Sequence, residues 1–113
     1  MNYEIIPTKT FKRSFKVLSK KYQSLKDDLE IFEQELLENP EIGDCLGNNT
    51  RKVRMPIASK NKGKSGGARI ITYTIVMDVV DAEIYLLTIY DKSRQDSITQ
   101  KEIEQLKLTN NLL

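Results

Sequence analysis

The sequence lacks the residues on which several kinds of site depend. It contains no histidine and a single cysteine, Cys45, among its 113 residues. A Ser-His-Asp triad and a structural zinc site are therefore excluded, and so is an intramolecular disulfide. Because the chain has no histidine to activate a thiol, we expect Cys45 to be a half-buried small apolar residue rather than a nucleophile. Catalysis must use lysine, arginine, tyrosine or carboxylate groups, and we expect neither a metal ion nor another cofactor.

Long apolar runs are also missing. No stretch has membrane-spanning length, and the chain does not begin with a charged segment followed by an apolar one, so we predict a cytoplasmic location without membrane contact. A lone cysteine agrees with a reducing compartment. The hydrophobic content of 39% and the charged content of 30% are those of an ordinary globular protein. At this length we expect a single domain over residues 1–113.

Acidic residues are absent between Asp44 and Asp78, although the formal net charge of the chain is only +2. Within this interval the segment RKVRMPIASKNKGKSGGAR, residues 51–69, contains a concentration of cations: Arg51, Lys52, Arg54, Lys60, Lys62, Lys64 and Arg69. A solvated basic loop would explain the lysines. A phosphate-binding groove explains the whole pattern better, because the glycines allow close approach of the backbone and arginines on strands hold their planar forks in place.

Two helical segments of opposite charge follow a short predicted strand at residues 2–6. Thr8 is a typical N-cap, and the basic segment after it has apolar residues at helical spacing: Phe11, Phe15, Leu18 and Tyr22. Ser24 and Asp27 resemble a capping box, and the acidic segment that follows repeats the spacing: Leu25, Leu29, Phe32 and Leu36. We interpret both apolar stripes as core residues of an antiparallel helical hairpin.

The rest of the chain is predicted to form a sheet and one more helix. In order, we expect a loop, a strand, a long polar turn and two apolar strands: residues 41–49, 50–56, 57–67, 68–77 and 83–90. Both apolar runs lack a polar face, which indicates that both faces of the sheet are covered. Thr99 and Glu102 are spaced as the capping box of a short C-terminal helix. The predicted order is β-α-α-β-β-β-α, an α+β fold with the helical hairpin packed on a small, mostly antiparallel sheet.

The basic segment and the strands after it resemble the RelE/HigB group of bacterial toxins from toxin-antitoxin pairs. The resemblance rests on RKVR, the polar turn, GKSGGARII and IYLLTIYDKS, and the flanking helices match that group in order and length. It implies a small basic ribonuclease that enters the 30S decoding site of the ribosome and cuts messenger RNA. It also implies a cognate antitoxin as partner, with operator DNA contacted only through the toxin-antitoxin complex.

The resemblance also implies roles for individual residues. The matched positions are a basic pair, the lysine before the double glycine, the arginine that opens the next strand, and the polar end of the last strand: Lys52 with Arg54, Lys64, Arg69, and Tyr90 with Lys92. The implied catalytic residues are Arg54, Lys64, Arg69, Tyr90 and Lys92, and the implied RNA-binding residues are Arg51, Lys52, Lys60 and Lys62. RelE-type enzymes place a tyrosine in the C-terminal segment, whereas this chain has none after Tyr90.

These residue types suit RNA cleavage without metal or histidine. The 2′-hydroxyl already lies beside the scissile phosphate, so the protein must align the backbone, neutralise charge and move two protons. Arg54 and Arg69 suit charge neutralisation, and Lys64, Lys92 or Tyr90 could transfer a proton. Two alternatives stay open, because a fold does not determine its function. One is a toxin of the ParE type, which acts on DNA gyrase; the other is a catalytically inactive corepressor that binds nucleic acid.

Overall fold

A computed structural model describes residues 1–61, 63–95 and 97–113, and these contain five strands and three α-helices. Their bounds are β1 Asn2–Pro7, α1 Lys9–Ser19, α2 Leu25–Glu38, β2 Asp44–Gly47, β3 Thr50–Met55, β4 Ala68–Val76, β5 Asp81–Asp91 and α3 Gln100–Thr109. The sheet has the strand order β1-β5-β4-β3-β2, in which β1 is parallel to β5 and the other neighbouring pairs are antiparallel. The predicted α+β fold class and the short C-terminal helix are confirmed.

Helix α1 covers the half of β5 that β1 leaves unpaired. The pairing of β1 with β5 ends at Pro7 opposite Leu86. Beyond that point, hydroxyl groups of α1 and its N-cap bond to the backbone of β5: Thr8 to the Leu86 carbonyl, Thr10 to the Leu87 carbonyl, and Ser14 to the Ile89 amide. These side chains take the place of a neighbouring strand, so the backbone groups of β5 that they contact have hydrogen-bond partners.

Helices α1 and α2 bury one face of the sheet. The core on this side contains the buried residues Phe11, Leu25, Phe32, Leu36, Val53, Met55, Ile57, Ala68, Ile70, Ile84, Leu86 and Ile89. Helix α1 ends at Ser19, so Tyr22 lies in the turn before α2 rather than in the helix as predicted. The predicted capping box at Ser24 is wrong. Its hydroxyl donates to the buried Asp28 carboxylate at 2.7 Å, and that carboxylate also accepts the Ala58 N–H at 3.2 Å.

Helix α3 covers the opposite face, so the prediction that both faces are covered is confirmed. Its capping box forms as predicted between Thr99 and Glu102. Four residues are buried together on this side: Ile71, Leu87, Tyr90 and Ile103. The buried Lys107 places its Nζ 4.1 Å from the centre of the Tyr73 ring, and burial lowers the pKa of this lysine. A cation over an aromatic ring is stabilised when water is excluded, which helps to hold α3 on the sheet.

Residues 41–49 were predicted to be a loop, but they include the edge strand β2. Asn48 and Asn49 connect β2 to β3 in a two-residue turn with φ angles of 50° and 57°. Asparagine tolerates this left-handed conformation, and such turns favour tight hairpins. Cys45 is exposed because it lies on the outermost strand, so its predicted half-burial is wrong.

None of the helices among the described residues has the length and apolar character needed to span a bilayer.

A buried carboxylate ties the segment between β3 and β4 to the end of β5. Asp91 accepts hydrogen bonds from Lys60 Nζ at 2.8 Å, Tyr22 OH at 2.6 Å and Ser93 Oγ at 2.7 Å. Burial alone would raise the pKa of Asp91, but the hydrogen bonds from Lys60, Tyr22 and Ser93 outweigh it and hold this pKa well below its usual range. The Asp91 cluster, defined by these four residues, therefore fixes the basic segment in place.

Gly67 provides a second tie at the end of the same segment. A Cβ at this position would collide with the Met55 carbonyl oxygen, so only glycine lets the segment pass so close to β3. The Gly67 carbonyl accepts the Lys92 N–H at 3.1 Å. The segment therefore re-enters the sheet beside the end of β5.

Substitution of Phe32 tests which face of α2 packs against the sheet. Phe32 lies in the core under α2, so Phe32→Ala should lower the free energy of unfolding by about 3–5 kcal/mol through lost burial and a residual cavity. Urea denaturation measures this loss. Ile31→Ala is the matched control, because Ile31 is exposed on the same helix and its loss should cost within about 0.5 kcal/mol. Equal effects of the two substitutions would contradict the orientation of α2.

Asp91 predicts a specific pH dependence. Its folded-state pKa lies below the unfolded value of about 4, so the ionised carboxylate stabilises the fold fully above about pH 4. This contribution is lost as the pH falls through the folded-state pKa. Asp91→Asn removes the partner of the buried Lys60 and should cost about 3–5 kcal/mol at neutral pH.

Urea midpoints measured from pH 7 to pH 2 should show the difference between wild type and Asp91→Asn shrinking below about pH 4. Glu30→Gln, on the exposed face of α2, is the matched control and should leave the midpoint nearly unchanged. A difference that stays constant across the whole pH range would mean that ionisation of Asp91 is not what stabilises the cluster.

Candidate functional site

Three predicted site residues form a row across the sheet. Arg54 on β3 pairs with Arg69 on β4, and Arg69 pairs with Tyr90 on β5. Directly paired residues on neighbouring strands project to the same face of a sheet. Their neighbours Ile71 and Ile103 show that this is the face covered by α3. We call Arg54, Arg69 and Tyr90 the cationic row.

Arg69 is the buried centre of the row. The residue is only 4% exposed. Its guanidinium donates to the carbonyls of Lys64, Ser65 and Ala68 at 3.1, 3.1 and 3.2 Å. Burial, followed by repulsion from Arg54, lowers the pKa of Arg69. Within the described residues no carboxylate lies at ion-pair distance from either arginine. Asp44 attracts Arg69 from a longer distance and opposes the fall of its pKa, but within the described residues neither arginine forms an ion pair.

The Tyr90 hydroxyl, at the third position of the row, is also in an unusual environment. The residue is 7% exposed, and its hydroxyl oxygen is buried without a hydrogen-bond partner among the described residues. Burial raises the pKa of Tyr90, and the positive charge of Arg69 opposes that rise. An unpaired buried hydroxyl costs about 1–3 kcal/mol, so its presence beside two arginines is a candidate functional feature.

Two lysines line a cleft at the outer end of the row, together with Arg54. The cleft has a volume of about 300 Å³ and is lined by Ile42, Gly43, Asp44, Lys52, Val53, Arg54 and Lys64. Lys64 also lies 3.6 Å from the Glu35 carboxylate, in an exposed ion pair. Such a pair contributes little to stability, so it would exchange readily for another anion. Lys52, Arg54 and Lys64 can therefore act on one ligand.

The remaining predicted residues lie elsewhere or serve the fold. Arg51 lies on the opposite face of β3, and its guanidinium donates to the Gly43 carbonyl at 3.3 Å. The Lys60 side chain is 9% exposed and bound to Asp91. Lys92 directly follows β5, two residues after Tyr90, and its N–H binds the loop at Gly67. Lys62 lies outside the described residues.

Sequence reasoning missed a second cleft beside Tyr90. It has a volume of about 300 Å³ and lies between β5 and α3, lined by Thr88, Tyr90, Gln95, Ile98, Glu102, Gln105 and Leu106. Gln105 on α3 has the pattern of an ordinary solvent-facing residue, and Gln95 lies before the helix, so periodicity identifies neither of them. Sequence reasoning also missed the Asp91 cluster, because Tyr22 and Lys60 are far in sequence from Asp91 and Ser93.

One comparison with known proteins bears on this site. The family model described as the RelE toxin of the RelE/RelB toxin-antitoxin system matches residues 4–113. The match includes the basic segment, the cationic row and all three helices. The chain therefore belongs to the RelE toxin family, the toxin side of a toxin-antitoxin pair.

Proposed function

We propose that the chain is an endoribonuclease that cuts messenger RNA on the ribosome without a metal ion and so inhibits translation in the cytoplasm. The cationic row carries this proposal. It joins two arginines to a tyrosine hydroxyl, and among the described residues the arginines have no carboxylate at ion-pair distance and the hydroxyl has no hydrogen-bond partner. A divalent cation would be repelled by this charge, whereas a phosphodiester would be attracted to it.

The two arginines have different parts in this proposal. Arg54 is exposed and stands next to Lys52 and Lys64, so its guanidinium can reach phosphate oxygens directly. The Arg69 guanidinium already donates to three carbonyls and is buried behind it. Arg69 therefore supplies a fixed positive field and holds the loop that carries Lys64. Charge placed in advance where negative charge develops needs no reorganisation during the reaction.

The reaction transfers two protons and exchanges one bond to phosphorus. The 2′-oxygen attacks the phosphorus, the bond to the 5′-oxygen breaks, and a 2′,3′-cyclic phosphate remains. The Tyr90 phenol is protonated at neutral pH, as any tyrosine with an ordinary pKa of about 10 would be, and burial raises this pKa further, so Tyr90 can act as the acid that protonates the leaving 5′-oxygen. The proton of the 2′-hydroxyl goes to a second group, and a lysine can accept it only in its neutral amine form; Lys64 and Lys92 are the candidates. Substrate must displace the side chains that cover the Tyr90 hydroxyl.

The same family membership implies an antitoxin, and we propose where it binds. A cleft of about 520 Å³ lies between α1 and the end of β5, lined by Ser14, Val17, Leu18, Lys21, Ile89, Asp91 and Arg94. Its apolar side includes Val17, which is 68% exposed, and two cations stand at its rim. An antitoxin segment with a large apolar residue beside a carboxylate would match both features. Operator DNA is then contacted only through the complex.

Tyr90→Phe tests the nuclease proposal, because it removes only the hydroxyl. Wild type added to translating ribosomes should cut message and leave 2′,3′-cyclic or 3′-phosphate ends, and a 2′-deoxy nucleotide at the cut should block cleavage. The variant should lose roughly 100-fold or more in rate. Its melting temperature should not fall, because an unpaired buried hydroxyl does not stabilise the fold.

Tyr85→Phe is the matched control for this experiment. Tyr85 lies on the same strand but outside the row, and its hydroxyl donates to Glu83 at 2.6 Å. This variant should cut normally. Normal cleavage by Tyr90→Phe would reduce Tyr90 to a packing role. Intact message with wild type, together with loss of DNA supercoiling as the first effect in cells, would replace the nuclease proposal by the gyrase alternative.

Val17→Glu tests the proposed antitoxin surface. A carboxylate in the apolar part of the cleft should weaken antitoxin binding by on the order of 10-fold or more, through buried charge and repulsion of an acidic partner. Calorimetric titration and rescue of growth on co-expression measure the effect. Val79→Glu is the control, since Val79 is 90% exposed at the β4–β5 turn, far from the cleft in sequence. Equal effects of the two variants would place the antitoxin elsewhere.

A further inference from the structure

Apart from Tyr90, the residues that line the cleft between β5 and α3 have no part in the cleavage chemistry described above. Tyr90 forms part of its lining and is also the last member of the cationic row. A phosphate held at Arg54 and a group bound in the cleft would therefore lie on either side of Tyr90. The cleft volume of about 300 Å³ is at the lower end for small-ligand sites, which suits a single ring system.

The lining combines apolar walls with amide groups. Ile98 and Leu106 are half-buried apolar residues on the α3 side. Gln95 Nε2 donates to the Ser97 carbonyl at 3.0 Å, and Gln105 Nε2 donates to Thr109 Oγ1 at 3.4 Å. Each amide nitrogen therefore retains a second N–H, and neither amide oxygen accepts a hydrogen bond from another described residue. Both glutamines can still donate and accept.

The Glu102 carboxylate also lines the cleft, but it already accepts hydrogen bonds within the protein. Glu102 Oε1 accepts from the Thr99 N–H at 3.1 Å and from Thr99 Oγ1 at 3.0 Å, as part of the capping box of α3. Turning it toward a ligand would cost helix stability. The amides of Gln95 and Gln105 are the groups in the lining that present a donor and an acceptor side by side.

We propose that this cleft is a base-recognition subsite of the substrate RNA, in which Gln95 and Gln105 select an unstacked adenine next to the scissile phosphate. An amide matches adenine because it accepts from N6 and donates to N7. Proteins read single-stranded RNA by splaying bases into such sites, with apolar contact to the ring and hydrogen bonds to its edge. The proposal rests on the nuclease function and adds its sequence preference.

The test is a map of cleavage sites in cells after brief induction of wild type, Gln105→Ala, Gln95→Ala and Gln105→Glu. Wild type should cut beside adenine. Among the cuts that they still make, the alanine variants should lose this preference by on the order of 10-fold, because base contacts supply the specificity whereas phosphate contacts supply most of the affinity. Gln105→Glu should shift the preference toward cytosine, whose N4 amino group donates to a carboxylate.

Gln100→Ala is the matched control, because Gln100 is exposed at the start of the same helix and does not line the cleft. Melting temperatures of all variants should agree with that of wild type, since the replaced side chains lie at the surface. Wild-type cleavage with an adenine preference that survives both alanine substitutions, or with no base preference at all, overturns the subsite and leaves the nuclease intact. Absence of cleavage by wild type overturns both.

Discussion

The ion pair between Lys60 and Asp91 is the interaction on which the arrangement of the site depends. It joins the segment between β3 and β4 to the end of β5, and Tyr22 adds the turn between α1 and α2 to the same carboxylate. Both charged side chains are almost buried, so breaking the pair would leave an uncompensated charge away from water. With the segment held in this way, the carbonyls of Lys64 and Ser65 stay in place to receive the Arg69 guanidinium.

The arginine pair shows how the fold tolerates charge that function requires. Arg69 is buried next to Arg54, and neither has a carboxylate partner within the described residues. Three backbone carbonyls solvate the Arg69 guanidinium in place of water. These contacts occupy three donor positions of the guanidinium but add no negative charge. Proteins commonly give up some stability at sites that must bind a ligand, and both this charge and the unpaired Tyr90 hydroxyl fit that pattern.

The two faces of the sheet have different tasks in this account. The face under α1 and α2 contains the larger core, and we place the antitoxin surface at its border, beside Val17. The face under α3 contains the cationic row and the cleft beside Tyr90. Partner and substrate would therefore approach different sides of β5. Inhibition by an antitoxin bound at α1 would have to act through the end of β5, where Asp91 lines the antitoxin cleft and directly follows Tyr90.

Much of the fold follows from local patterns in the sequence. The capping box at Thr99, the N-cap at Thr8 and the hairpin of β4 and β5 depend on residues close in the chain, and all three were predicted. Ser24 is the N-cap of α2, but the predicted capping box was wrong because the Ser24 hydroxyl donates to Asp28 and accepts the N–H of the distant Ser59 instead of a helix N–H. Strand β2 was missed because its four residues have little strand propensity and are ordered by pairing with β3.

The sequence by itself determined which residue types the site could use, and its motifs identified the family. Because successive side chains of a strand point to opposite faces, the sequence of residues 50–55 also implied that Arg51 faces away from Lys52 and Arg54. Only the tertiary structure decided that Arg54, Arg69 and Tyr90 form one row, because strand register sets which distant residues become neighbours. It likewise decided that Lys60 binds Asp91, since burial and pairing of charges depend on contacts between segments that no local pattern specifies.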